Sequence, residues 1–215
     1  MGSGIAAQRL SPDDVGLQLL ENSLITGAVL VALIVALGPV SAAFNPVITL
    51  VERALGAINT TAAVAFVAAQ VAGCFLGVML ANLMFELPAV DVSGTERTGA
   101  GLWLGEVVAT FGLVVVVFGV VRSGRTVHVA YAVGAYITAA YWFTSSTSFA
   151  NPAITVSRTL SDTFAGIAPG SVPGFVAMQL LGGALALGAV LVLYPRASQL
   201  ADDLTQLIER SEESA

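Results

Sequence analysis

The sequence predicts an all-α membrane protein with five transmembrane helices and two re-entrant half-helices. Three observations predict it. The composition is 56% hydrophobic and only 10% charged, with a mean hydropathy of +0.88, whereas a water-soluble domain must present a polar surface. Five apolar stretches, about 17–39, 59–84, 102–121, 127–148 and 172–194, reach the roughly 20 residues that cross the hydrocarbon core. Two further apolar pieces, about 45–56 and 151–160, are too short to cross and each opens on Asn-Pro.

Asn-Pro is a helix start: an N-cap residue followed by the one helical position at which proline costs nothing. Both short pieces are therefore expected to be half-helices that enter the membrane and stop. They also resemble each other, Phe44-Asn45-Pro46-Val47-Ile48-Thr49-Leu50 against Ala150-Asn151-Pro152-Ala153-Ile154-Thr155-Val156, half a chain apart. Interrupted hydrophobic segments at matching places in two halves point to a transport site. The repeat divides the chain into a first half, 1–100, a second half, 101–195, and an acidic tail, 196–215. The second half has two spans before its motif and the first half only one, so the first span is the missing element, and Gly2-Ser3-Gly4 would be the remnant of its exit.

Arginines in short loops set the orientation. Arg122 and Arg125 flank the connection at 122–126 and make it cytoplasmic; by alternation the ends bearing Arg53 and Arg196 are cytoplasmic too, and 85–101, with Glu86, Asp91, Glu96 and Arg97, faces outward. Met1 to Leu10 lack the basic and apolar runs of a signal peptide, so a later hydrophobic segment directs insertion. Gly73 with Gly77, and Gly101 with Gly105, offer small faces for close helix approach. The tail sets Leu200, Leu204, Leu207 and Ile208 against Asp202, Asp203, Glu209, Glu212 and Glu213, an acidic amphipathic helix that anionic lipid repels.

The two Asn-Pro triplets and Glu106-Val-Val-Ala-Thr-Phe111 make the chain resemble the aquaporin, or major intrinsic protein, family over nearly its whole length. Gly38-Pro39-Val40-Ser41-Ala42-Ala43-Phe44 and Thr159-Leu160-Ser161-Asp162-Thr163-Phe164-Ala165-Gly166 look most like bacterial members found beside arsenic-resistance genes. The resemblance implies an inverted repeat with six spans in complete members and a homotetramer in the bacterial inner membrane with a pore in each subunit. Its half-helices meet end to end at the bilayer midplane, and its pore passes small neutral solutes.

Physical reasoning reaches the same site. An N-cap Asn accepts from its own helix with its side-chain oxygen, which leaves the amide NH2 to donate into the lumen. Asn45 and Asn151 are thus paired donors, flanked by Pro46, Val47, Pro152 and Ala153. Both half-helices aim a positive end at that spot, which disfavours cations and hydrated protons. The carbonyls of 42–44 and 148–150 are expected to face the lumen as acceptors. Glu106, the carboxylate well inside a span, is too costly to expose to lipid; the family resemblance gives it the structural role of holding the half-helix loop.

The chain departs from the family it resembles at the narrow ring of the pore. Many members place an arginine directly after the second motif, where this sequence has Ile154. The remaining ring candidates are Ile25 or Thr26, Thr138 or Ala139, and Ser148, a wide and weakly polar set suited to uncharged solutes bulkier than water, such as polyols or undissociated arsenite. Arg158, four residues after Ile154, either supplies the missing guanidinium from one turn higher or pairs with Asp162 at the rim.

The fourteen acids exceed eight basic residues, all arginine, and the net charge of −6 argues against a nucleic-acid partner. Single residues, Cys74 and His128, leave neither an intrachain disulfide nor a zinc cluster. No nucleophile, base and orienting group occur together, so neither an enzyme nor a cofactor is expected. A passive channel is the leading reading; a carrier coupled through Glu106, or a non-conducting truncated channel, are the alternatives.

Overall fold

The computed structural model describes residues 1–194, and every helix or strand assigned among them is a helix. In chain order these are α1 (Gly2–Leu10), α2 (Val15–Leu37), α3 (Pro46–Ala54), α4 (Thr60–Met84), α5 (Ala100–Arg122), α6 (Val129–Phe143), α7 (Pro152–Ser157) and α8 (Val172–Leu193). Short 3-10 turns precede α6, follow α7 and lead into α8. The acidic tail and Arg196 lie outside the described residues.

Four of the five expected spans are long and apolar enough to cross a membrane: α2, α4, α5, and α8 together with its leading turn, with mean hydropathies of 2.1 to 2.4. The fifth is shorter than 127–148. Its helix has 15 residues, about 22 Å at 1.5 Å per residue. The 3-10 turn Thr126–His128 lengthens it at the start. It stops at Phe143 because Thr144 turns to extended backbone (ψ 139°), and Thr144 Oγ1 donates at 2.7 Å to the Ala140 carbonyl, which also accepts the Thr144 N–H. The residues beyond form the turn and loop that lead to Asn151, with Thr147, Ser148 and Ala150 at positive φ.

Surface and interior are arranged for lipid. Large aliphatic side chains stand exposed on the spans, among them Val64, Leu76, Leu80 and Val192, while Glu106, Thr110, Thr155, Gln179 and Asn82 are wholly buried. Only α4 has as little as 11% of its apolar window covered. Apolar groups outside cost nothing in hydrocarbon, and Glu106, Thr155, Gln179 and Asn82 inside are hydrogen-bonded to protein groups, whereas the Thr110 hydroxyl has no partner among the described residues.

The two principal helix pairs are α5 with α8 and α2 with α6. At the α2–α6 crossing the backbones nearly touch: a Cβ on Gly27 would lie 2.9 Å from the Gly134 carbonyl oxygen, and one on Gly134 2.8 Å from that of Gly27. Gly182 plays the same part between α8 and α5, a Cβ there falling 2.6 Å from the Val107 carbonyl oxygen. Within the single chain the glycines singled out by spacing meet no other helix. Gly73, Gly77 and Gly101 meet nothing within 4 Å, and Gly105 packs on Ser145 and Ser146 of a loop, not on a helix. Spacing shows that a face is small; it does not show which helix comes to it. Gly2-Ser3-Gly4, expected as the remnant of a helix exit, is itself helical, and α1 buries Gly4, Ile5 and Ala7 against its neighbours.

Candidate functional site: a channel built on two half-helices

The half-helices are where the sequence puts them. Asn45 caps α3 in extended conformation, its Oδ1 accepting from Val47 N at 3.0 Å, with Pro46 at the first helical position. Asn151 caps α7 in the same way, accepting from Ala153 N at 3.0 Å and Ile154 N at 3.3 Å, with Pro152 behind it. The 3-10 turn Arg158–Leu160 finishes the second half-helix.

The amide groups do something that local reasoning does not reveal. Asn45 Nδ2 donates to the Ala150 carbonyl at 2.7 Å, and Asn151 Nδ2 donates to the Phe44 carbonyl at 2.8 Å. Each cap is thereby tied to the residue that precedes the opposite cap. One of the two hydrogens on each amide is used in this cross-link, so the expectation that the whole NH2 faces the lumen is corrected to one N–H per asparagine. The Phe44 and Ala150 carbonyls, expected as lumen acceptors, each have one lone pair taken by the cross-link. Both residues sit at positive φ, 45° and 47°, a conformation that costs a non-glycine residue about 1 kcal/mol or more. The reciprocal hydrogen bonds hold them there.

Glu106 fixes the second loop from behind. Its two oxygens accept from Phe149 N and Ala150 N, each at 2.9 Å, and Oε2 also accepts from Gln179 Nε2 at 2.5 Å. A carboxylate only accepts, and here it meets only donors. Gln179 Nε2 further reaches Thr155 Oγ1 at 2.8 Å, and Thr155 returns a hydrogen bond to the Asn151 carbonyl. The first half repeats part of this lattice: Gln70 Nε2 donates to Thr49 Oγ1 at 2.9 Å. Sequence reasoning missed both glutamines, although each lies in the span following its own motif.

A cavity of about 560 Å³ runs past both caps. Among the predicted ring residues Thr26, Ser148, Ile154 and Arg158 line it, and Ile25, Thr138 and Ala139 do not. Ile25 points outward, nearly half exposed. Thr138 faces α2, where its hydroxyl bonds the Gly134 and Ser23 carbonyls, and Ala139 is on the outer face of α6. Helical rotation puts Ile137 and Tyr141, four residues apart, on the cavity side instead. Pro46, Val47, Pro152 and Ala153 lie behind the cap residues and support the half-helices from the protein side.

Arg158 does not pair with Asp162. Its guanidinium carbon lies 4.2 Å from the centroid of the Phe149 ring, and Nη2 donates to Tyr141 Oη at 3.3 Å. Asp162 instead accepts from Gly94 N at 2.9 Å, so the rim pair expected four residues along is not formed. The turn after α7 ends the regular helix at Ser157, which removes the geometry that such a pair needs.

The family model for the major intrinsic proteins matches residues 1–142. The chain belongs to the major intrinsic protein family. It is a multi-pass membrane channel for small solutes. It is also 50% identical over 188 residues to aquaglyceroporin AqpS of Rhizobium meliloti (strain 1021), an alignment covering 87% of this chain and 80% of that protein. Glu106, the carboxylate a coupled carrier would use, is no part of the channel wall: it is wholly buried and does not line the cavity.

Proposed function

We propose that this channel passes small uncharged polyols, with glycerol as the reference solute, and admits water and undissociated arsenite by the same route. The observation that carries the reading is the pair of crossed asparagine bonds beside a continuous cavity. Each amide retains an N–H for a passing hydroxyl, and the carbonyls near it retain lone pairs. A solute that both donates and accepts can exchange its water shell for that lining at little net cost. A cation meets the positive ends of two half-helices and a free N–H on each asparagine at that point, so ions and hydrated protons are held back. The relative's description as an aquaglyceroporin supports the polyol, and Ile154, aliphatic where many members carry arginine, supports a pore open to more than water.

The channel works as a homotetramer in a bacterial inner membrane, with the α5–α6 connection on the cytoplasmic side and the two halves, 1–100 and 101–195, as its inverted repeat. The test is stopped-flow light scattering on proteoliposomes in water, glycerol and arsenite gradients. Passive flux down each gradient, unaffected by a proton gradient, is expected. Uphill accumulation driven by protons would refute the channel reading.

A further inference from the structure

We propose that the selectivity constriction of this channel lies one helical turn beyond Ile154, where Arg158, aimed by Tyr141 and Phe149, is the specificity-determining residue, and that Arg97 is its positioning residue. The inference rests on the channel reading above and assigns the residues that set its size limit.

Three elements are stitched together there. Tyr141 Oη on α6 accepts from Arg158 Nη2 at 3.3 Å and donates to Thr26 Oγ1 on α2 at 3.5 Å. All three residues line the cavity, so a chain of hydrogen bonds runs around its wall from α2 to the turn after α7. Below it the wall changes character: Ile137 and Ile154 are aliphatic. A guanidinium carries five N–H donors and no acceptor, and only one of Arg158's is matched to a protein hydrogen-bond acceptor among the described residues. What passes it must offer oxygen lone pairs, while the aliphatic ring beneath favours carbon. A small polyol has both.

A buried cation without a carboxylate beside it is expensive, and Arg158 is only 8% exposed. Its compensation is the Phe149 face, a geometry that fixes the plane of the guanidinium. Phe149 is itself immobilised: its N–H goes to Glu106, its ring meets Phe175 edge-on at 5.3 Å, and Ile167 packs beside it. Arg97 completes the mount. Its guanidinium carbon lies 5.0 Å from the Phe149 centroid, Nε donates to the Gly166 carbonyl at 2.8 Å and Nη2 to the Phe164 carbonyl at 3.0 Å. Two cations thus share one aromatic ring, one exposed to the solute and one anchoring the loop.

The test measures the permeability ratio of a four-carbon polyol to glycerol, and the proton leak, in proteoliposomes of the full chain. Arg158→Ala is expected to raise the ratio roughly tenfold, the scale of one well-placed hydrogen-bonding group, and to raise the leak. Tyr141→Phe, which removes one oxygen and no bulk, is expected to move both in the same direction by a smaller factor. Arg97→Met is expected to follow Tyr141→Phe, with Arg97→Lys partly restoring the ratio, a rescue that simple loss of folding would not give. If Arg158→Ala does not assemble, Arg158→Lys and Tyr141→Phe decide the question. Conducting proteins whose ratios are unchanged by these substitutions, while Ile154→Arg alters the ratio, would put the constriction at Ile154 and overturn the inference. Wild-type vesicles silent to every solute would overturn the channel reading and this inference with it.

Discussion

Asn45 and Asn151 combine three tasks in one side chain: capping a helix, bridging to the opposite loop, and leaving an N–H for the cavity. Asn151→Asp keeps the cap but removes the donor to the Phe44 carbonyl and adds a negative charge beside the lumen. It is expected to lower thermal stability by about 1 kcal/mol for the lost hydrogen bond and to increase proton leak, read by a pH-sensitive dye inside vesicles. Glu106→Gln turns an amide NH2 toward backbone N–H groups that need an acceptor, at a cost of about 2 kcal/mol or more. A lower unfolding midpoint and reduced glycerol flux are its expected signature. Arg97, in the loop between α4 and α5, has a different sensitivity. Burial, with the charge of Arg158 next, lowers its pKa to about 10. The folded loop therefore disfavours the charge, a penalty fully present below about pH 10 and relaxed only as pH climbs through it. Arg97 stays protonated at neutral pH, and hydrogen exchange of the 164–171 loop, corrected for intrinsic rate, is expected to be constant between about pH 7 and 9. The caps and Glu106 were legible in the sequence because each states its need locally: an Asn before Pro, a carboxylate where lipid cannot take it. Tyr141, Phe149 and Arg97 were not, since their roles exist only where four separated segments meet.

Among the elements, α3 and α8 show how far packing is specified. A Cβ on Gly183 would lie 2.3 Å from Val47 Cγ1, so Val47, which stands where the second motif has Ala153, occupies the space a side chain on α8 would need. Gly183→Ala is expected to destabilise by about 1–3 kcal/mol, and Val47→Ala in the same protein to recover most of it. The interaction term of that double-mutant cycle, from thermal unfolding in detergent, is the quantity to measure; a value near zero would show that the helices move apart freely. The half-helices were readable to within a few residues because Asn-Pro marks a beginning and an apolar run too short to cross marks an end. The cavity-facing side of α6 was not. That helix is apolar almost all round, so its pattern carries no preference between Thr138 and Tyr141, and the choice is made by Gly27 and Gly134 bringing α2 against one particular side.

At the scale of the molecule, the architecture was legible from composition and repeat. The two motifs are alike in sequence but are not held alike: Glu106 gives the second loop a carboxylate mount, while the first half-helix is bonded through Gln70 and Thr49. The first half-helix is therefore expected to be the less rigid of the two, a difference that hydrogen exchange in lipid nanodiscs can rank: amides near Ala43 and Phe44 are expected to exchange faster than those at Phe149 and Ala150. The crossed asparagine bonds also impose an order on biosynthesis. They join residues 105 and 107 positions apart. When the ribosome has delivered the first motif to the translocon, its partners do not yet exist, and the first re-entrant segment must wait in the membrane with an amide and a carbonyl unmatched. The first half made alone is accordingly expected to be open to protease at that segment, and co-expression of the second half to protect it.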